Sequence, residues 1–162
     1  MIDIRIGNGY DVHRLTEGRE LHLGCVFIPY EKGLLGHSDA DVLCHAIADA
    51  MLGACGLRDI GFHFPDSDSN FEGVSGEFIL KHTLAICEKR GFSVSNVDSI
   101  IVAQKPKLSP YVPEMIDKIS KVLGVSFDRV NVKATTEEKM GFTGREEGIS
   151  AHAVCIMKRE LI

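Results

Sequence analysis

Asp39-Ala40-Asp41-Val42-Leu43-Cys44-His45-Ala46-Ile47-Ala48-Asp49-Ala50-Met51-Leu52-Gly53-Ala54-Cys55, closed by Gly56, is the stretch on which the fold turns. Val42, Leu43, Ala46, Ile47, Ala50, Met51 and Ala54 recur at helical spacing and cover so much of the cylinder that the helix they predict must be largely buried. A buried helix needs a sheet or other helices around it. Upstream, Ile4 to His13 is rich in β-favouring residues interrupted by Gly7-Asn8-Gly9, which reads as a break. The end of that segment reads as a strand whose Asp11 and His13, two residues apart, share a face.

Working outward, Glu20 to Ile28 reads as a short strand or hairpin closed by Pro29 and a Lys32-Gly33 turn. Leu57 to Gly73 has too many turn residues for a regular element and is expected to be a long loop. A second helix is predicted from about Ser75 to Arg90, stopping at Gly91. A strand follows from about Phe92 to Gln104. After Pro106 and Pro110 comes a third helix, carrying Met115, Ile116, Ile119, Val122 and Leu123 and ending at Gly124. Val130 to Thr135 and Ile149 to Lys158 complete the strands. This order implies an α+β fold, an α/β sandwich in which a mixed sheet carries its helices on one face. At 162 residues, 44% hydrophobic and 25% charged, the chain has the balance of one globular domain spanning 1–162.

A net charge of −5 argues against a nucleic-acid partner, and the absence of any apolar run of eighteen residues argues against a membrane span. Met1-Ile2-Asp3-Ile4-Arg5 lacks the layout of a signal peptide, so a cytoplasmic location is expected, or an organelle lumen had a targeting segment been removed. Cys25, Cys44, Cys55, Cys87 and Cys155 are odd in number, contain no Cys-x-x-Cys pair and read as free thiols. None is flanked by the cations that would activate it as a nucleophile.

Asp11, His13 and His45 are oxygen and nitrogen donors of the type Zn²⁺ accepts, and three such ligands leave a fourth position for water or substrate. The plainer alternatives are an Asp-x-His on a strand end by chance and a hydrogen-bonded core histidine at 45. The sequence alone does not bring strand end and helix together. Lys133 to Arg145 leaves a strand through Thr135, Thr136, Glu137, Glu138, Gly141, Phe142, Thr143 and Gly144. It has the hydroxyls, carboxylate and guanidinium of a phosphate pocket, or equally the make-up of a polar surface loop. Ala103-Gln104-Lys105-Pro106-Lys107-Leu108-Ser109 reads as a basic turn or a nucleotide-facing loop. Gly7-Asn8-Gly9 is not a dinucleotide fingerprint, because Val12 stands where the third glycine belongs and no helix opens there.

Gly9 to His13, Ile28 to Asp41, Asp59-Ile60-Gly61, Phe64-Pro65-Asp66, Asn131 to Thr136 and Gly141 to Arg145, in that order, resemble the 2-C-methyl-D-erythritol 2,4-cyclodiphosphate synthase family of non-mevalonate isoprenoid biosynthesis. The resemblance runs essentially end to end. It implies a homotrimer with active sites between adjacent subunits, acting on a small cytidine diphosphate substrate, 4-diphosphocytidyl-2-C-methyl-D-erythritol 2-phosphate, and releasing CMP. It further implies that Asp11, His13 and His45 hold Zn²⁺, that His37 and Thr136 stabilise the transition state, and that Ser38 holds phosphate. Asp59, Ile60 and Gly61, with Phe64, Pro65, Asp66, Ser67 and Asp68, would line the methylerythritol side. Ala103, Gln104, Lys105, Pro106, Lys107, Leu108 and Ser109, with Thr135 and Thr136, would hold the cytidine and its α-phosphate. Phe142 and Arg145 would complete the pocket, and Glu138 would bind a second divalent cation, Mg²⁺ or Mn²⁺; Glu137 beside it leaves the choice of carboxylate open. The competing classes are a zinc-dependent nucleotide-diphosphate hydrolase and a non-catalytic nucleotide-binding trimer.

Overall fold

A computed structural model describes residues 1–161. The first strand, β1, runs unbroken from Ile2 to Glu17, so Gly7-Asn8-Gly9 is not the break expected from its composition. Its glycines answer a different need. A Cβ on Gly7 would lie 1.8 Å from the carbonyl oxygen of Ala50, and one on Gly9 would lie 1.9 Å from that of Ala46. Both carbonyls belong to helix α1, Val42–Cys55, which lies directly on the strand. Only glycine lets a helix backbone approach a strand that closely. On α1 the side chain of Asp41 caps the first turn and Gly56, at φ 69°, ends the last, as its spacing predicts.

The remaining elements follow the predicted order with several short additions. Strands β2, Leu21–Leu23, and β3, Val26–Ile28, form a separate two-stranded hairpin. Lys32-Gly33, expected as a turn, belongs to strand β4, Lys32–Leu34, which pairs with the end of β1 through Leu15↔Leu34 and Glu17↔Lys32. The segment expected as an irregular loop contains a short helix, α2, Ile60–His63, and a 3₁₀ turn, Ser69–Phe71, begun by Asp59 and Asp68 whose carboxylates cap backbone N–H groups. These elements are too short to show helical periodicity in sequence. Then come α3, Gly76–Glu88; β5, Ser93–Val102; α4, Val112–Leu123; β6, Val130–Thr135; the single turn α5, Gly141–Gly144; and β7, Gly148–Glu160.

The main sheet has the order β4-β1-β7-β5-β6, antiparallel except for the β5–β6 pair, and so is mixed as expected. Helices α1, α3 and α4 pack as one layer on it. The core between them holds Leu43, Ile47, Met51, Leu80, Ile101, Met115 and Ile119, all out of contact with solvent. The opposite face of the sheet is bare. Strand side chains alternate, so Ile4, Ile6, Tyr10 and Val12 of β1 and Val154 of β7 project away from the helices and are 42–71% exposed. Among the described residues, no helix is long and apolar enough to cross a membrane.

Replacing Gly9 with alanine should lower the free energy of unfolding by about 3 kcal/mol or more, because the new methyl has helix backbone rather than a movable side chain in its way. Alanine at Gly18, where nothing lies within 4 Å but φ is 75°, should cost only about 1 kcal/mol. Urea unfolding of both variants measures the contrast.

Candidate metal centre and nucleotide cavity

Because β1 and α1 are pressed together at Gly7 and Gly9, the strand end carrying Asp11 and His13 meets the first turns of the helix, where His45 sits. Asp11 Oδ2 lies 3.0 Å from His13 Nε2 and 3.0 Å from His45 Nδ1, and the two ring nitrogens are 3.2 Å apart. The three residues singled out from sequence thus converge on one point. Donor atoms on a tetrahedral ion with bonds of roughly 2.05 Å are about 3.3 Å apart, so the observed triangle is close to what a metal requires.

The outer bonds of the two rings agree with that use. His13 Nδ1 donates to the carbonyl of Leu35 at 2.8 Å, which leaves the Nε2 lone pair facing the centre. His45 Nε2 lies 3.3 Å from Ser38 Oγ, and donating there leaves its Nδ1 lone pair facing the same point. Two lone pairs and a carboxylate aimed at one another repel unless a proton or a cation stands between them, so the donor set fits a divalent metal ion. Burial works to raise the Asp11 pKa, but hydrogen bonds from His13 and His45 outweigh it and hold the group down at about 2. Burial likewise opposes charging of His13, but Asp11 wins and the imidazole pKa is raised.

The loop between β4 and α1 carries His37, exposed, and Ser38, half-buried, whose hydroxyl reaches His45. Its shape is set by neighbours that sequence inspection did not single out. Arg19 Nη2 donates to the Ser38 carbonyl at 2.8 Å. Asp39, whose pKa is raised by burial and by the Asp41 charge, accepts from Asp41 N at 3.0 Å and from Gly76 N at 2.9 Å. On α1, one turn beyond His45, Asp49 accepts from Ile60 N at 2.7 Å and holds α2 against the helix, placing Asp59, Ile60 and Gly61. The Asp39-x-Asp41 spacing ahead of an apolar run is a helix-start signal that sequence could supply. Arg19 and Asp49 have no such signature, because their partners are backbone groups distant in sequence. Beyond α2, Phe64 packs edge-on against Phe71, while Asp66 and Ser67 are exposed and Asp68 is tied to the backbone of Asn70.

A second feature lies at the same end of the sheet. The loop after β5 and the end of β6 enclose a cavity of about 390 Å³ lined by Ala103 to Ser109 with Ala134, Thr135 and Thr136. All seven residues of the basic turn and both threonines are therefore brought together. Lys139 N donates to Gln104 Oε1 at 3.0 Å and fastens the following loop to this wall. Of the glutamate pair, Glu137 is engaged with the buried hydroxyl of Thr143, whereas Glu138 is exposed and accepts from Thr136 Oγ1 at 3.1 Å. Glu138 is thus joined to Thr136, one of the residues lining the cavity. Phe142 and Arg145 do not line the cavity; Arg145 donates to Glu147 at 2.7 Å, an ion pair that raises its pKa. Nor do Asp11, His13 or His45 line it. Strands β7 and β5 intervene between β1 and β6, a separation of roughly 14 Å at the usual strand spacing.

The YgbB family model matches residues 4–158. A 2-C-methyl-D-erythritol 2,4-cyclodiphosphate synthase of Geobacter metallireducens is 58% identical over 156 residues, covering 96% of this chain and 99% of its own. The structure of the bifunctional IspDF from Campylobacter jejuni superposes with a TM-score of 0.94 at 41% identity, covering 99% of this chain and 43% of that one. A CDP-bound structure of 2C-methyl-D-erythritol-2,4-cyclodiphosphate synthase gives 0.87 at 36% identity, covering 94% of this chain and 99% of that chain.

The two perturbed groups have opposite pH signatures in the metal-free protein. The folded pKa of Asp11 is depressed, so its stabilisation is present above its ordinary 3.8 and lost as pH falls through about 2. The folded pKa of His13 is raised, so its stabilisation is present below 6.5 and lost as pH rises through the raised value. A metal needs neutral His13. Between about pH 6 and about pH 8 the melting temperature should therefore fall in chelator, while the increment from added Zn²⁺ should grow. An increment that shrinks with pH would contradict the assignment. In zinc titrations Ser38→Ala should weaken binding by roughly tenfold, and His45→Ala by much more.

Proposed function

Because the chain belongs to the YgbB family, we propose that it converts 4-diphosphocytidyl-2-C-methyl-D-erythritol 2-phosphate into 2-C-methyl-D-erythritol 2,4-cyclodiphosphate and CMP. The observation that carries this proposal is the convergence of Asp11, His13 and His45 at the same sheet end as the cavity of Ala103 to Ser109 with Thr135 and Thr136. One group suits a diphosphate and the other a nucleotide. The reaction joins two anionic groups of one molecule: the 2-phosphate oxygen attacks the β-phosphorus, the bond from that phosphorus to the bridging oxygen breaks, and CMP leaves. Its obstacles are charge repulsion and orientation, so it calls for cations and positioned donors rather than a protein nucleophile.

We assign Zn²⁺ to Asp11, His13 and His45, and Mg²⁺ or Mn²⁺ to Glu138; bound there, these ions would polarise the β-phosphate and neutralise the diphosphate. The chain's own groups supply the rest. His37 and Ser38 donate to phosphate oxygens from the braced loop, and Thr136 donates to the α- and β-phosphates from the end of β6. Ala103 to Ser109 and Thr135 enclose the cytidine. Asp59, Ile60 and Gly61, together with Phe64 to Asp68, hold the methylerythritol and keep its 2-phosphate in line. Phe142 and Arg145 complete the pocket in the assembled site.

Metal group and cavity are separate within one chain, which supports a site shared between subunits, and we propose a homotrimer. The bare sheet face of Ile4, Ile6, Tyr10, Val12 and Val154 supports it further, since an apolar patch of this kind is normally covered by a partner. The cytoplasm is the proposed compartment.

Incubating zinc- and magnesium-loaded protein with the substrate and following it by ³¹P NMR tests the reading. Equal amounts of CMP and cyclic diphosphate are expected, with at least a 100-fold loss in His13→Ala. A linear product carrying solvent ¹⁸O would identify a hydrolase instead, and binding without turnover a sequestering module. Ile6→Glu should reduce the mass in solution to one third while leaving the metal affinity of the chain unchanged, because Ile6 and the metal group face opposite sides of the sheet.

A further inference from the structure

A second cluster also has potential ligand atoms within 4.8 Å of one another: Cys25, Asp41 and Cys44. The Asp41 carboxylate is already committed. Its Oδ1 accepts from Gly24 N at 2.9 Å and Cys44 N at 3.1 Å, and its Oδ2 from Cys25 N at 2.8 Å and the Cys44 thiol at 3.2 Å. That leaves two sulfurs, 3.4 Å apart, which is too few ligands for a structural zinc site. What two adjoining thiols can do is react with each other.

Their placement is costly for the backbone. Gly24 and Cys25 are the two residues linking β2 to β3, with φ of 60° and 65°, a turn in which small or flexible residues are favoured at both positions. A cysteine at the second position gives up backbone ease, and its sulfur is thereby delivered to Cys44. Cys25 is half-exposed and Cys44 fully buried, so a soluble oxidant meets Cys25 first.

We propose that Cys25 and Cys44 form a reversible disulfide, a modification site independent of the cyclisation reaction, whose oxidant is a hydroperoxide. Hydrogen peroxide transfers one oxygen to the Cys25 sulfur, giving a sulfenic acid and one water. The Cys44 sulfur then attacks that sulfur, and the S–S bond forms as the S–O bond breaks. The departing hydroxyl takes the Cys44 proton, relayed by Asp41 Oδ2, and leaves as a second water. Two thiols are oxidised by two electrons and one peroxide is reduced; a dithiol reductant reverses the step. The bond ties the β2–β3 hairpin to the first turn of α1, one residue before His45.

The test treats the reduced 162-residue chain with graded hydrogen peroxide, blocks remaining thiols and maps peptides by mass spectrometry. A peptide pair linked through Cys25 and Cys44, lighter by two hydrogens and separated again by dithiothreitol, is expected. It should be absent from Cys25→Ser and Cys25→Gly, the latter also relaxing the left-handed turn and so folding readily. Cys55 and Cys87, two further free and buried cysteines, serve as internal rivals. A cross-link confined to those two, or oxidation of Cys25 to sulfinic acid with no link to Cys44, would overturn the proposal.

Discussion

The contact between the backbone of β1 at Gly7 and Gly9 and the backbone of α1 at Ala50 and Ala46 governs the rest of this structure. Two residues of strand advance about 6.7 Å and four residues of helix about 6 Å, so strand and helix running in opposite directions stay nearly in step. Gly7 meets Ala50, Gly9 meets Ala46, and the next strand residue on that face, Asp11, meets the turn that carries His45. The metal group is a consequence of this register. A methyl at either glycine would lift the helix and move His45 away from its two partners.

Around that contact, backbone groups and carboxylates hold what the register brings together. Asp41 caps α1 and at the same time binds the β2–β3 turn, so the helix start, the hairpin and the loop bearing His37 and Ser38 are fastened at one buried carboxylate. Asp39 adds α3 to the same junction through Gly76, and Asp49 adds α2 through Ile60. Leu35 and Ser38 then orient the two imidazoles. A short loop is thus given a defined shape by charge-assisted hydrogen bonds, the kind that gain most from partial burial. Preorganisation of this sort suits a reaction limited by charge and orientation.

The parallel β5–β6 pair accounts for the cavity. Both strands end at the same edge, so the turn after Val102 and the hydroxyls of Thr135 and Thr136 face a common space. Two strands separate this space from the metal group, and the sheet's uncovered face is the surface at which the proposed homotrimer would bring copies of the chain together. Charge, cavity and exposed apolar residues are consistent with one another in that arrangement.

The sequence by itself determined the buried helix after Asp41, the strand bearing Asp11 and His13, the α+β order with a mixed sheet, and the family. Each rests on local periodicity, capping residues or long contiguous motifs that need no partner to be recognised. It misread Gly7-Asn8-Gly9 as a break and Lys32-Gly33 as a turn, because glycine marks both chain reversal and close backbone approach and only the neighbouring element distinguishes them. It also left Glu137 and Glu138 undistinguished; in the fold Glu137 accepts from Thr143 and Glu138 from Thr136, partners that their adjacent positions in sequence do not announce. Arg19, Asp49 and the Cys25–Cys44 pair stayed silent for the same reason: their partners are far away along the chain, and distance in space is set by packing rather than by spacing in sequence.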